Sequence, residues 1–337
     1  MDSGPTSAST QNSSSEKDEN GNYEIASKLH LTGSDNEYEI LISFQRENTG
    51  FNRIEFMKDA YSPKATKVCF RGEAFSKDWP ESTVEEGNPL DVATTYFKNL
   101  LKQHKKHVES VQIDVPDIHY CDMRGEKLPN LKVLNVVCLE ALGYFTSATT
   151  NSLKDLTINF PGSDPCGFQG LPRSVVMFSD IFRVTDRLSI PDSKVTYDEF
   201  LRMKAKETIL IMGLLDEEEI NRLVKSWVKG KPAKQFELCV FKNPCYKAPC
   251  NYRCNSHITL SGMNHTELKN EYYNLDTILS IENRKVHRVQ SKKDPTCFVD
   301  ILIGLEGIVL AVNKKNAYNP PENNQHFGFA GEGFELD

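Results

Sequence analysis

The chain has 337 residues, 39% of them hydrophobic and 26% charged, enough to bury one large core or two ordinary ones. A net charge of −7 supplies no general attraction for nucleic acid or acidic lipid, and no apolar run reaches the roughly 18 residues of a membrane span. The Met1 segment shows no charged n-region followed by an apolar h-region, so the nine cysteines are expected to be reduced, in cytoplasm or nucleus.

Residues 1–21 are rich in Ser, Thr, Asn and Glu, and this composition predicts a disordered polar tail. One folded domain is expected over residues 22–312, followed by a flexible tail over 313–337 rich in Pro, Asn and Gly. Its first part, 22–87, reads as β-rich. Residues 29–31 and 38–44 flank a hairpin loop at 33–36, and residues 53–56 and 66–70 form two further strands.

The second part, 88–242, reads as α/β repeats. Asn88 and Pro89 open a helix carrying Ala93, Tyr96, Phe97, Leu100, Leu101 and His104 at helical spacing. Lys102, Lys105 and Lys106 complement the negative end of that helix, with a phosphate- or acid-binding patch as the alternative role. Three copies of one pattern follow: Val108-x-x-Val111-x-Ile113, Leu131-x-x-Leu134-x-Val136 and Leu153-x-x-Leu156-x-Ile158. Their spacing is that of the strand segment in a leucine-rich repeat, although Pro161 stands where such repeats usually carry asparagine.

Two capped helices come next. Thr196 with Glu199, and Asp216 with Glu219, are capping boxes; Val195/Phe200 and Leu215/Ile220 are hydrophobic staples. The second helix aligns Ile220, Leu223, Val224, Trp227 and Val228 on one face and stops at Gly230. Leu188-x-Ile190, Thr208-x-Leu210-x-Met212 and Phe236-x-Leu238-x-Val240 extend the strand series to six, side by side in one mostly parallel sheet. The expected fold is therefore α/β: a leucine-rich-repeat-like curved layer of mostly parallel strands backed by helices, with antiparallel β elements at both ends. The third part, 243–312, reads as a long loop over 243–254, a strand that begins at 277–281 and continues toward 286–289, and a closing pair at 297–303 and 307–312.

The helix from Ile220 through Trp227 to Gly230, followed by Phe236-Glu-Leu-Cys-Val240, resembles the type 2 F-box-associated domain, a family expanded in nematodes. The preceding capped helix and the closing hairpin between Val289 and Val312 support the resemblance. It implies a non-catalytic protein-recognition module, the substrate-selecting part of a ubiquitin-ligase subunit. Family members usually carry an N-terminal F-box that docks on a Skp-type adaptor. No Leu-Pro-rich amphipathic helices precede Tyr23 here, so adaptor docking is not expected of this chain. The alternative is a free-standing leucine-rich-repeat-like scaffold that binds proteins without any role in ubiquitin transfer. The bound protein is unnamed by the sequence in either case.

No His-Glu-x-x-His, Gly-x-Ser-x-Gly or P-loop occurs, so neither an enzyme nor a cofactor is expected, and no catalytic or cofactor-binding residue is assigned. Gly328-Phe-Ala-Gly331-Glu-Gly333 neither follows a strand nor opens a helix and is set aside. Trp227 reads as core, and Arg222, Lys225, Lys229, Lys231 and Lys234 as a solvated surface that an acidic partner could use. Cys245, Cys250, Cys254 and His257 have spacing C-x4-C-x3-C-x2-H, without the C-x2-C knuckle of common structural zinc sites. Plain loop cysteines and no metal are expected; elemental analysis of purified protein should find no stoichiometric zinc, and one zinc per chain would overturn this.

Overall fold

The computed structural model describes residues 26–34, 37–44, 52–72, 81–115, 126–137, 139–149, 151–159, 179–211, 215–242, 254–268, 285–304 and 307–314. Cys245, Cys250, the strand expected at 277–281, the glycines of 328–333 and nearly all of both expected tails lie outside these residues. Two compact units divide the chain, Met1–Leu131 and Lys132–Asp337.

In the first unit the alternating apolar runs become strands β1 (Ala26–Ser34), β2 (Glu37–Phe44), β3 (Asn52–Lys58) and β4 (Ala65–Arg71), joined by β5 (Ser82–Glu86). These five pair antiparallel in sequence order, as the expected small sheet requires. Helix α1 (Pro89–His104) starts where the Asn88 side chain accepts the Asp91 N–H. It packs on β1 to β4, with Ala93, Phe97 and Leu101 fully buried. Lys102 lies in its last turn, and Glu126 lies 3.3 Å from Lys105 and 3.9 Å from Lys102. Strand β6 (Ser110–Ile113) then runs parallel to β1, with Leu29 opposite Val111 and Leu31 opposite Ile113. That pairing joins residues about 80 apart in sequence and has no local signature.

The second unit is built on a parallel stretch. Strands β7 (Val133–Val136), β8 (Asp155–Ile158), β9 (Arg187–Lys194), β10 (Glu207–Ile211) and β11 (Leu238–Lys242) are successive neighbours. Leu134 pairs with Leu156, Leu156 with Leu188, Leu188 with Thr208, and Thr208 with Cys239. Five of the six strand patterns thus adjoin as expected. The crossovers carry α2 (Leu139–Ala148), a 3-10 turn at Ser179–Arg183, α3 (Tyr197–Arg202) and α4 (Glu217–Val228). Both capping boxes form, and Val195, Phe200, Leu215 and Ile220 are buried at 0–1% exposure, so the staples close as well.

Thr208 replaces a leucine in this row and is fully buried; its hydroxyl donates to Cys239 Sγ at 3.2 Å, which removes the cost of an unpaired polar group. Burial pushes the Cys239 thiol up to about 12, so it behaves as a packing group.

Beyond β11 the chain forms α5 (Ser256–Leu260), β12 (Thr266–Leu268), β13 (Lys285–Gln290), β14 (Cys297–Gly304) and β15 (Gly307–Lys314). The last four strands pair antiparallel, and β15 docks antiparallel on β11. Gly307 is required at that junction: it holds φ +144°, and a Cβ there would stand 2.0 Å from the Phe241 carbonyl oxygen. The fold is mixed α/β, and antiparallel pairings outnumber parallel ones because hairpins, which need only short turns, build the β-rich segments.

One edge of the second unit holds a buried histidine. His287 on β13 is 4% exposed, and neither ring nitrogen has a hydrogen-bond partner. Its ring meets that of His265 edge-on at 5.1 Å, Glu267 is opposite it on β12, Ile301 is opposite it on β14, and Lys285 precedes it on its own strand. Desolvation, then His265, lowers its pKa from the ordinary 6.5. The folded state therefore keeps this imidazole neutral while the unfolded chain takes up a proton below about pH 6.5. His104, lowered by burial and by His107, acts in the same direction. Stability should be full above that value and fall as pH drops below it. Thermal melts from about pH 7.5 to about pH 5.5 should show the loss, and His287→Leu should flatten part of the slope; an unchanged slope would remove His287 from this account.

Candidate functional site

Helix α4 has two jobs because its sequence has two faces. Ile220, Leu223 and Val224 are fully buried. Trp227, expected in the core, is only half-buried, since the fully packed part of the stripe ends one turn earlier. Beside the stripe, Asn221 is 7% exposed, and its side-chain amide donates to the carbonyls of Thr259 at 2.7 Å and Ser261 at 3.0 Å. One turn earlier, Glu217 Oε1 accepts the Asn255 N–H at 3.2 Å. Positions 217 and 221 lie on one line of the helix, and together they bind both ends of α5. The α5 carbonyls would otherwise be orphaned, being too near the helix end for intrahelical partners.

The two helices enclose a surface cleft of about 570 Å³ lined by Glu218, Asn221, Arg222, Lys225, His257, Ile258 and Ser261. The Asn255 side chain caps α5 by accepting the His257 N–H at 3.0 Å, which orders the His257 backbone at the cleft. Arg222 stands 5.3 Å over the Tyr197 ring, a cation–π contact that holds the guanidinium by its face and leaves its N–H groups available. Lys225 crosses Gly262, whose absent Cβ would lie 3.2 Å from the ammonium nitrogen. Among the described residues no carboxylate lies within salt-bridge distance of Arg222 or Lys225. Ile258 adds an apolar wall and is 37% exposed. Chemically the cleft offers a planar guanidinium, an ammonium and an imidazole to an acceptor-rich group, with one carboxylate, Glu218, at its side.

Of the five cations read as surface, Arg222, Lys229 and Lys231 are exposed and Lys225 is half-buried. Lys234 is a correction: it is 5% exposed and donates to the carbonyls of Met203 at 2.5 Å and Ala205 at 2.8 Å, over the Phe200 ring. Those carbonyls follow the end of α3 and need donors, which an ammonium on a long stem reaches. Burial lowers its pKa. Of the four residues considered for zinc, Cys254 and His257 flank Asn255 at the start of α5, and Cys245 and Cys250 are outside the described residues. Burial and the Glu217 carboxylate push the Cys254 thiol up to about 12. No cluster of three or more His, Cys, Asp or Glu that could hold a metal occurs among the described residues, and no helix there is long and apolar enough to cross a membrane.

Sequence reasoning missed Asn221 and the whole of α5. A polar residue one position from Ile220 and three from Val224 lies at the border of the apolar stripe, and this was the available signal for a buried amide. No protein-family profile, curated protein or solved structure matches the chain.

Replacing Asn221 by leucine removes two donors and leaves two carbonyls unpaired, so stability should fall by about 1–3 kcal/mol. Hydrogen exchange should rise first in residues 256–261; unchanged protection there would show that α5 is held by other contacts.

Proposed function

We propose that the chain is a non-catalytic protein-recognition module, similar to the substrate-binding part of F-box ubiquitin-ligase subunits, and that the cleft between α4 and α5 receives an acidic segment of the bound protein. The observation that carries this reading is the convergence of Arg222, Lys225 and His257 on one open cleft, with no salt bridge to either permanent cation among the described residues. An open polar cleft with one apolar wall suits a peptide side chain better than an enclosed small molecule. The parallel stretch β7 to β11, with a helix or helical turn in every crossover, supports a leucine-rich-repeat-like curved layer as the scaffold.

Affinity purification of the full chain from native tissue tests the reading. Partners should be recovered by the wild type and lost by Arg222→Glu combined with Lys225→Glu, since reversing exposed charges turns attraction into repulsion. A partner set unchanged by the double variant would remove the cleft from recognition. Recovery of adaptor and cullin supports the ligase role, and partners without them support the free-standing scaffold. Direct binding of a Skp-type adaptor should be no tighter than micromolar, because the apolar faces of α1 and α4 (Phe97 and Leu101, Ile220 and Leu223) are already buried. Nanomolar affinity in a calorimetric titration would overturn that expectation.

A further inference from the structure

In the first unit β5 is the last strand of its sheet, and no described strand pairs with its outer edge. Its pairing with β4 sets the direction of every backbone group. The Gly87 N–H donates to the Lys64 carbonyl at 3.0 Å, and the Phe70 N–H to the Glu81 carbonyl at 3.3 Å. Bonded and non-bonded positions alternate along an antiparallel pair. Thr83 and Glu85 therefore turn their N–H and C=O groups toward β4, and Ser82, Val84 and Glu86 turn theirs outward. The side chains follow the same phase. Glu85 accepts the Tyr96 hydroxyl at 3.2 Å on the half-buried face, whereas Ser82, Val84 and Glu86 are exposed, Val84 at 61%.

Natural edges are commonly blunted with lysine, proline or a bulge. Strand β5, Ser-Thr-Val-Glu-Glu, has none of these, and its register with β4 is unbroken. An exposed valine at the centre of such an edge is a place for another strand.

We propose that β5 is a homotypic docking edge, at which a second copy of this chain adds its own β5 in antiparallel register about Val84. The residue order selects this occupant. Centred on Val84, the two strands place valine opposite valine on the two-fold axis, each Ser82 opposite a Glu86, and each Thr83 opposite a Glu85. The exposed Ser82 hydroxyl of each copy meets the exposed Glu86 carboxylate of the other, and all three outward-facing residues fall at bonded positions. The neighbouring in-phase registers fail: one sets Glu85 opposite Glu85, the other Glu81 opposite Glu85, and like charges directly opposite are unfavourable. Lys67, opposite Val84 on β4, places a cation on the same face as Glu86 of its own copy. A five-residue pairing is small, so the dimer is reversible in the micromolar range.

Sedimentation velocity on the full chain over a dilution series tests this. The wild type should move from 38.2 kDa toward twice that mass as concentration rises. Val84→Pro removes an outward N–H and no bond to β4, so it should stay monomeric with an unchanged circular dichroism spectrum. Ser82→Lys places a cation opposite Glu86 of the second copy twice per dimer and should tighten association severalfold. A wild type that remains monomeric at every concentration overturns the proposal, as does a dimer that Val84→Pro leaves intact. If Val84→Pro does not fold, the exposed change Ser82→Lys decides by its sign: tighter supports β5 pairing, and unchanged or weaker association overturns it.

Discussion

The parallel strands of the second unit share one continuous row of buried side chains, and keeping that row in register is the constraint on which the unit depends. The row Leu134, Leu156, Leu188, Thr208, Cys239 crosses five parallel strands in register, with Val136, Ile158, Ile190, Leu210 and Phe241 two residues further along. Full burial of each aliphatic side chain is worth roughly 1.5–3 kcal/mol. A one-residue slip of any strand would turn its whole apolar set to the opposite face, so the register is strongly specified. The crossover helices must then present matching stripes, which is why Phe200 on α3 meets Phe241 on β11 with ring centroids 5.6 Å apart. The same requirement makes Thr208 costly unless its hydroxyl is paired, and the thiol of Cys239 supplies the pairing.

The elements that the sequence announced were those whose signals are local. Capping boxes need residues three apart, staples five apart, and strand alternation two apart; both capping boxes and both staples form, and the alternating runs of β1 to β4 are strands. Signals that depend on a distant partner were silent. The parallel pairing of β6 with β1 is one case, and the edge strands β5 and β12 are others, being only five and three residues long. The candidate site was half legible. Arg222 and Lys225 were visible as cations on the polar face of α4, but the helix that makes them a cleft follows a sequence rich in Cys, Asn and Pro with no periodic pattern. Lys234 was read as surface because a lysine's prior is surface. Two carbonyls left over after α3 reversed it, and no local signal reports where another helix's orphaned acceptors will lie.

Several buried polar groups in the second unit are satisfied through their side chains, two of them at helix ends that leave acceptors unpaired. Asn221 serves the end of α5 and Lys234 the end of α3. Asp300, fully buried on β14, takes two hydrogen bonds from the Arg288 guanidinium at 2.8 and 3.0 Å and a third from Asn313 at 2.8 Å. Removing one member of such a set strands a charge or a carbonyl away from water, so these contacts specify geometry more than they add net stability. His287 is the exception. Its nitrogens are unpaired, and burial favours the neutral ring over the charged one.

The two edge strands show opposite solutions to one problem. Strand β12 is three residues long, and the ion pair of its Glu267 with Lys285 at 3.9 Å stays within the β12–β13 pair. So short an edge offers too few backbone groups to template another chain. Strand β5 is longer, carries its valine outward, and spends its inward carboxylate on the Tyr96 hydroxyl, whose pKa burial and that carboxylate push up to about 12. The tyrosine is thereby kept protonated as a donor, and its ring packs edge-on against Phe56 at 5.4 Å beneath the sheet. The inner face of β5 is anchored to α1 through this contact, while no described strand pairs with its outer edge. A strand anchored on one side and open on the other is rigid enough to accept a partner without first ordering itself, and the entropy that a flexible edge would lose on pairing is already spent in folding.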